Sequence, residues 1–286
     1  MTGNGRRRGS ISRTEAMPTG KRGEKQSMEH TVFVTGAHNG TGYAIAERFA
    51  REGWAVLIGS RNQESADNAA GKLNHTYGVY TKGYSYQTAT PDADEVRAIF
   101  EDIRANGHSV GALVLNAANL GMNQVSMELD IRDFMGVYNT NIFWNFLMAR
   151  EAAKQMREAG GGSIVFIGSN SALRVTENRC AYCSSKSAMI GMSKSLAVDW
   201  GKWNIRSNVV LPGMIKTERW ENNVNNAKYC LPNYTPLHDI AEFEDIANAA
   251  WYFGSEQSRN TTGTELAVDG GMLAQLTPNI NRTLWE

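Results

Sequence analysis

From Thr31 onward the chain alternates short aliphatic, β-branched runs with longer stretches of helical periodicity, and this alternation constrains the fold more than any other feature. The predicted strands are "TVFVT" (31–35), "AVLIG" (55–59), "VYTKGYSY" (79–86), "ALVLN" (112–116), "SIVFIG" (163–168), "IRSNVVL" (205–211) and "ELAVD" (265–269). Most are unbroken apolar runs, as expected of strands covered on both faces in a parallel sheet. Between them, "TPDADEVRAIFEDIRANG" offers Thr90 as a cap, Pro91 at the first helical position, acids in the first turn and Gly107 as a stop. Phe134, Val137, Asn141, Trp144, Met148 and Ala152 make one stripe of a long helix, with Asn141 its polar exception. No Pro- or Ser-rich linker divides this pattern, which predicts one α/β domain over 28–286.

Residues 1–27 read differently. They hold seven Lys/Arg and two Glu, which leaves 22 and 27 for the rest of a chain whose 29 bases and 29 acids cancel. Tail and body therefore carry opposite charge. The tail is rich in Gly, Ser and Arg without an apolar period, so disorder is expected there. A solvated extension, or a start that properly belongs at Met28, is favoured over a nucleic-acid or membrane-surface arm, because one Arg triplet is thin evidence of a partner. No apolar run approaches the roughly 18 residues of a membrane helix, and no signal-peptide pattern opens the chain. A cytoplasmic protein without nucleic-acid or membrane partners is expected. Three cysteines, Cys180, Cys183 and Cys230, do not make a disulfide framework. Cys180-x-x-Cys183 has metal or redox spacing, yet no Cys/His pair completes a four-ligand site, so no metal is expected and the thiols read as incidental.

Two segments carry chemistry. "TGAHNGTG" (35–42) follows the first strand and opens a helix, so Gly36, Gly40 and Gly42 remove Cβ atoms where backbone must approach a pyrophosphate at the helix start. His38, Asn39 and Thr41 lie within the same loop. After the second strand stands "GSRN". Ser60 removes the carboxylate that would repel a 2′-phosphate and Arg61 could bind one, so NADP(H) is expected in preference to NAD(H), which stays possible. In "RCAYCSSKSAM" (179–189), Tyr182 and Lys186 are four apart on a helix and share one face. A neighbouring ammonium and an oxidised nicotinamide would favour the phenolate, making Tyr182 a proton donor and acceptor. Ser169 could hydrogen-bond the substrate oxygen, and Asn141 could relay protons through water towards the lysine.

Taken together these residues resemble the short-chain dehydrogenase/reductase family from about Thr31 to Gly271. "TGAHNGTG" looks like its cofactor loop, and Asn141, Ser169, Tyr182 and Lys186 fall where its catalytic Asn, Ser, Tyr and Lys are expected. "PGMIKT" (212–217) resembles the segment after strand six, with Pro212, Gly213, Ile215 and Thr217 beside the nicotinamide, and "VDGG" (268–271) resembles the closing strand. The resemblance implies a Rossmann-type, doubly wound, seven-stranded parallel sheet with helices on both faces. It also implies a homotetramer or homodimer, and hydride transfer between a secondary alcohol and a ketone. Two departures stand out: "LNAAN" keeps Asn116 and Ala117 but has Ala118 where glycine is usual, and "GYSYQTAT" lacks an adenine-facing Asp, leaving Ser85 or Tyr86 to substitute. A catalytically silent NADP-binding regulator is the alternative, and a sugar-nucleotide epimerase is disfavoured by the loop's spacing. Residues 214–240 are expected to form a lid, with Trp220, Tyr229 and Tyr234 as walls and Asn222, Asn223, Asn225 and Asn226 as hydroxyl ligands. Sugar or polyol, hydroxysteroid or other ring ketone, and 3-oxoacyl substrates all remain open.

Overall fold

The computed structural model describes residues 30–217 and 234–277. In chain order the strands are β1 (Thr31–Val34), β2 (Ala55–Ser60), β3 (Thr81–Ser85), β4 (Ala112–Leu115), β5 (Gly162–Ile167), β6 (Ile205–Pro212) and β7 (Glu265–Val268). The principal helices are α1 (Gly40–Arg51), α2 (Gln63–Tyr77), α3 (Ala93–Ala105), α4 (Ile131–Tyr138), α5 (Asn145–Ala159), α6 (Cys180–Trp200) and α7 (Phe243–Gly254). All seven strands pair in parallel, in the order β3-β2-β1-β4-β5-β6-β7. Each expected strand forms within two residues of its predicted limits.

Alternation along each strand sends successive side chains to opposite layers. Val32 and Val34 of β1 pack with Ile45 and Phe49 of α1, Leu73 of α2 and Ile246 of α7. Phe33, between them, packs on the other face with Val96 and Phe100 of α3, Met148 of α5 and Met189 of α6. A helix layer thus covers each face, which is why β1, β2, β4 and β5 show no polar alternation, whereas the edge strands β3 and β7 are more polar and part-exposed.

Two helical expectations are adjusted. Helix α3 begins after Asp92, not Thr90: Asp92 Oδ1 accepts the backbone N–H groups of Asp94 and Glu95 at 2.7 and 3.4 Å, so Pro91 precedes the helix. The stripe from Phe134 to Ala152 exists, but not as one α-helix. Residues Asn139–Trp144 form a π-helical turn between α4 and α5, and Asn141, Trp144, Met148 and Ala152 are all buried.

The strand order reverses between β1 and β4, and in such sheets the crevice at the carboxyl ends of the diverging strands is where ligands sit. The loops that leave β1 and β4 line that crevice here.

Candidate active site

The loop from Thr35 to Asn39 turns β1 into α1. Gly36 adopts φ +63°, which only glycine takes without strain. Gly42 is required for space: a Cβ there would lie 2.3 Å from the Gly36 carbonyl oxygen and 2.6 Å from Asn116 Nδ2. Asn39, the residue capping α1, makes no side-chain cap, and no acid stands in the first turn. The opening N–H groups of α1 thus face the crevice with positive partial charge and no internal acceptor, which fits a dinucleotide pyrophosphate.

Thr35 fastens this loop to the next. Its Oγ1 accepts from the backbone N–H of Asn116 and Ala117 at 2.9 and 3.0 Å. Asn116 Nδ2 returns hydrogen bonds to the carbonyls of Thr35 and Gly36, both at 3.1 Å. From the far side, the buried Tyr86 hydroxyl accepts the Gly36 N–H at 2.9 Å, and its ring lies 4.2 Å from that of Trp144. Burial pushes the Tyr86 phenol well above its ordinary range, so it stays neutral.

A cleft of about 810 Å³ runs across these loops. Gly36, His38, Asn39, Gly40, Thr41 and Gly42 form one wall, Asn116 and Ala117 another, and Ser60, Arg61 and Thr217 lie at its margins. Ser60 is buried, accepts the Asn62 N–H at 3.3 Å and lies 3.4 Å from His38 Nδ1, whereas Arg61 is exposed. Of the two substitutes for the missing Asp, Tyr86 lines the cleft with its hydroxyl already engaged. Ser85 does not line it; Gln87, Thr88 and Ala89 do.

A smaller chamber of about 170 Å³ shares Thr41, Asn116 and Ala118 with the cleft. Ser169, Tyr182, Lys186, Pro212, Gly213 and Ile215 line it. Ser169 follows β5, and its Oγ accepts the Ser171 N–H at 3.1 Å. Lys186 Nζ donates to the Ile167 carbonyl at 2.7 Å and lies 5.7 Å from the Tyr182 ring centroid. Asn141 lines neither space. It is buried one step behind, where its Oδ1 accepts the Asn119 N–H at 2.8 Å and its Nδ2 donates to the Asn119 carbonyl at 3.0 Å and to Ser185 Oγ at 2.9 Å. Sequence reasoning missed Thr35, which opens the quoted loop, and Arg179, whose guanidinium carbon lies 4.9 Å from the Tyr182 ring centroid.

The electrostatics differ from the simple expectation that Lys186 depresses the phenol. Burial holds the Tyr182 pKa above its ordinary value; the neighbouring Ser169 hydroxyl and the charge of Arg179 pull it down, and Cys183 pushes it up. Burial also lowers the Lys186 pKa to about 8. The folded value lies below the unfolded one near 10.4, so between about pH 8 and 10 the unfolded chain retains a proton that the folded chain has released. Stability of the cofactor-free protein should rise as pH increases through that window, by up to about 3 kcal/mol. Lys186→Met should flatten the rise, which thermal midpoints of both proteins from pH 7.5 to 10 will check.

Among the described residues no cluster of three His, Cys, Asp or Glu side chains could hold a metal, and no helix is long and apolar enough to cross a membrane. Cys180 is exposed and Cys183 buried, both as free thiols; Cys230 lies outside the described residues.

The family model described as enoyl-(acyl carrier protein) reductase matches residues 36–273, and the chain belongs to the short-chain dehydrogenase/reductase family. It is 32% identical over 244 residues to D-threitol dehydrogenase of Mycolicibacterium smegmatis, a match covering 84% of this chain and 91% of that one. It is 31% identical to 7alpha-hydroxysteroid dehydrogenase of Clostridium sardiniense, with 84% and 92% covered. Among solved structures, L-sorbose reductase from Gluconobacter frateurii complexed with NADPH and L-sorbose superposes with a TM-score of 0.81 at 28% identity, covering 88% of this chain and all of that one.

Proposed function

We propose that this protein is an NADP(H)-dependent oxidoreductase interconverting a secondary alcohol and a ketone. The observation that carries the reading is that Ser169, Tyr182 and Lys186 line one small chamber that shares Thr41, Asn116 and Ala118 with the cleft of the glycine loop. When bound, the nicotinamide supplies or accepts the hydride at the substrate carbon. In reduction Tyr182 gives its proton to the substrate oxygen and Ser169 orients that oxygen by hydrogen bonding. Lys186 holds the cofactor ribose and adds positive charge beside the phenol. Asn141 acts one layer back, keeping the water relay that returns a proton to Tyr182 and fixing Asn119 at the cleft.

The preference for NADP(H) rests on the absence of a carboxylate at Ser60 and on the exposed Arg61 at the cleft margin. Loss of one charge-assisted contact of this kind corresponds to about tenfold or more in affinity. Arg61→Ala should therefore weaken NADPH at least about tenfold and leave NADH nearly unchanged, as read by fluorescence titration of both. Equal effects on the two cofactors would remove the basis for the preference.

A polyol or ketose is the substrate class that D-threitol dehydrogenase and L-sorbose reductase support; a hydroxysteroid is the second, supported by the Clostridium relative. The asparagines expected to bind hydroxyls, with Trp220 and Tyr229, lie outside the described residues, while Tyr234 is described and exposed. Absorbance at 340 nm, followed with NADPH or NADP⁺ across ketoses, polyols, hydroxysteroids and 3-oxoacyl thioesters, tests the activity and ranks the classes. A protein that binds NADPH yet turns over no member of the panel would be the silent regulator instead. Assembly as a homotetramer or homodimer in the cytoplasm completes the proposal.

A further inference from the structure

Two loops, one leaving β4 and one leaving β5, frame Tyr182, and a single side chain ties them together. Arg179 directly precedes α6, one turn before Tyr182, as Lys186 lies one turn after it. Its Nη2 donates to the Leu120 carbonyl at 2.8 Å and its Nη1 to Asn123 Oδ1 at 3.0 Å, while the guanidinium stacks over the Tyr182 ring. A backbone hydrogen bond from Gln124 N–H to the Asn178 carbonyl, 3.0 Å, joins the same two loops. Asn178 adopts φ +59° in doing so, a left-handed conformation uncommon outside glycine.

The loop after β4 is held at its other end by Asn141, through the paired hydrogen bonds with Asn119. Asn141 in turn reaches Ser185, whose Oγ donates to the Tyr182 carbonyl at 2.7 Å. A closed circuit results: Tyr182, Arg179, the 119–123 loop, Asn141, Ser185 and back to Tyr182. We propose that Arg179 is a positioning residue of the reaction, locking the loop after β4 against the Tyr182 ring and keeping a fixed positive charge beside the phenol. The inference rests on the activity proposed above for Tyr182.

Three observations favour this over a merely structural role. Arginine stays charged at every accessible pH and its planar fork can bridge two acceptors while stacking on an aromatic face. Its charge is one of two influences that lower the Tyr182 pKa, the other being Ser169; Cys183 opposes them, and Lys186, also facing the ring, donates to the Ile167 carbonyl. Finally, both side-chain hydrogen bonds of Arg179 run to the loop after β4, at Leu120 and Asn123, so its fork is spent on joining that loop to the Tyr182 helix.

The test titrates Tyr182 directly, by ¹³C NMR of protein labelled at tyrosine Cζ, with the Tyr182 signal assigned by its loss in Tyr182→Phe. Spectra are recorded with saturating NADP⁺ and again without it. Arg179→Met should raise the Tyr182 pKa by about one unit, and Arg179→Lys, which keeps the charge but not the fork, by less than half of that. Asn123→Ala, which cuts one tether and leaves the charge, should lower kcat several-fold without moving the titration. An unchanged titration in folded Arg179→Met would overturn the proposal. Should that variant fail to fold, parental titration and parental kcat in both Arg179→Lys and Asn123→Ala would overturn it equally. A parent protein that bound no NADP⁺ would instead refute the activity, and the cofactor-free titration would still decide the role of Arg179.

Discussion

Replacing Tyr182 by Phe should lower kcat by about 10²- to 10⁴-fold, the span removed with a general acid, while NADPH binding survives. The change deletes one oxygen and nothing else. The ring keeps its place under Arg179 and beside Lys186, and the glycine loop is held by Thr35, Asn116 and Tyr86, none of which touches the lost hydroxyl. On the proposed mechanism, what would disappear is the proton delivered to the substrate oxygen. Steady-state rates with the best substrate of the panel, set beside the dissociation constant for NADPH, separate the two effects. A variant with near-parental turnover would take the acid away from Tyr182; one that lost NADPH as well would show that the hydroxyl builds the site instead of working in it.

The second large effect is expected from one added methyl group. In Gly42→Ala the new Cβ meets the Gly36 carbonyl oxygen at 2.3 Å, Asn116 Nδ2 at 2.6 Å and Ala37 Cα at 2.8 Å. Two of these are backbone atoms and the third is the amide that ties the two cofactor-facing loops together, so no flexible side chain can yield. Overpacking of this kind costs about 1–3 kcal/mol, and the loop can relieve it only by opening. The dissociation constant for NADPH should rise by about 5- to 150-fold, since about 1.4 kcal/mol corresponds to each factor of ten. Calorimetric titration reads this, and the thermal midpoint of the cofactor-free protein should fall as well. Gly40→Ala is the contrast: its Cβ meets only the Phe243 ring, at 3.8 Å, so its penalty comes from the φ of +53° alone and should be smaller.

The sheet was legible because its strands are buried on both faces; an unbroken aliphatic run leaves little else to read, and β1, β4 and β5 fall where such runs do. The glycine loop and the pairing of Tyr182 with Lys186 were legible because local spacing determines them. The π-helical turn was not. It lies where one side chain competes with the helical ladder and two others reach out of it: Asn145 Nδ2 takes the Asn141 carbonyl at 2.9 Å, while Asn139 Nδ2 reaches the Ala89 carbonyl at 2.7 Å and Thr140 Oγ1 donates to Thr88 Oγ1 at 3.0 Å. Two of those partners lie some fifty positions away, beyond any local periodicity. Arg179 escaped for the same reason, since its meaning depends on Leu120 and Asn123. Thr90 lost the cap of α3 to Asp92, a carboxylate closer to the first free N–H groups. Asn141 was legible as an odd polar residue on an apolar stripe, but its position behind Asn119, away from the chamber, required the folded chain.

The hydroxyl that Tyr86 offers to the Gly36 N–H has a kinetic meaning. A turn of this type, wedged from beneath by an aromatic ring packed at a tilt against Trp144, has its shape before any dinucleotide arrives. Little conformational entropy is left for the ligand to remove, so affinity is not eroded by ordering. The encounter of nucleotide and protein is then governed by diffusion and charge rather than by a folding step.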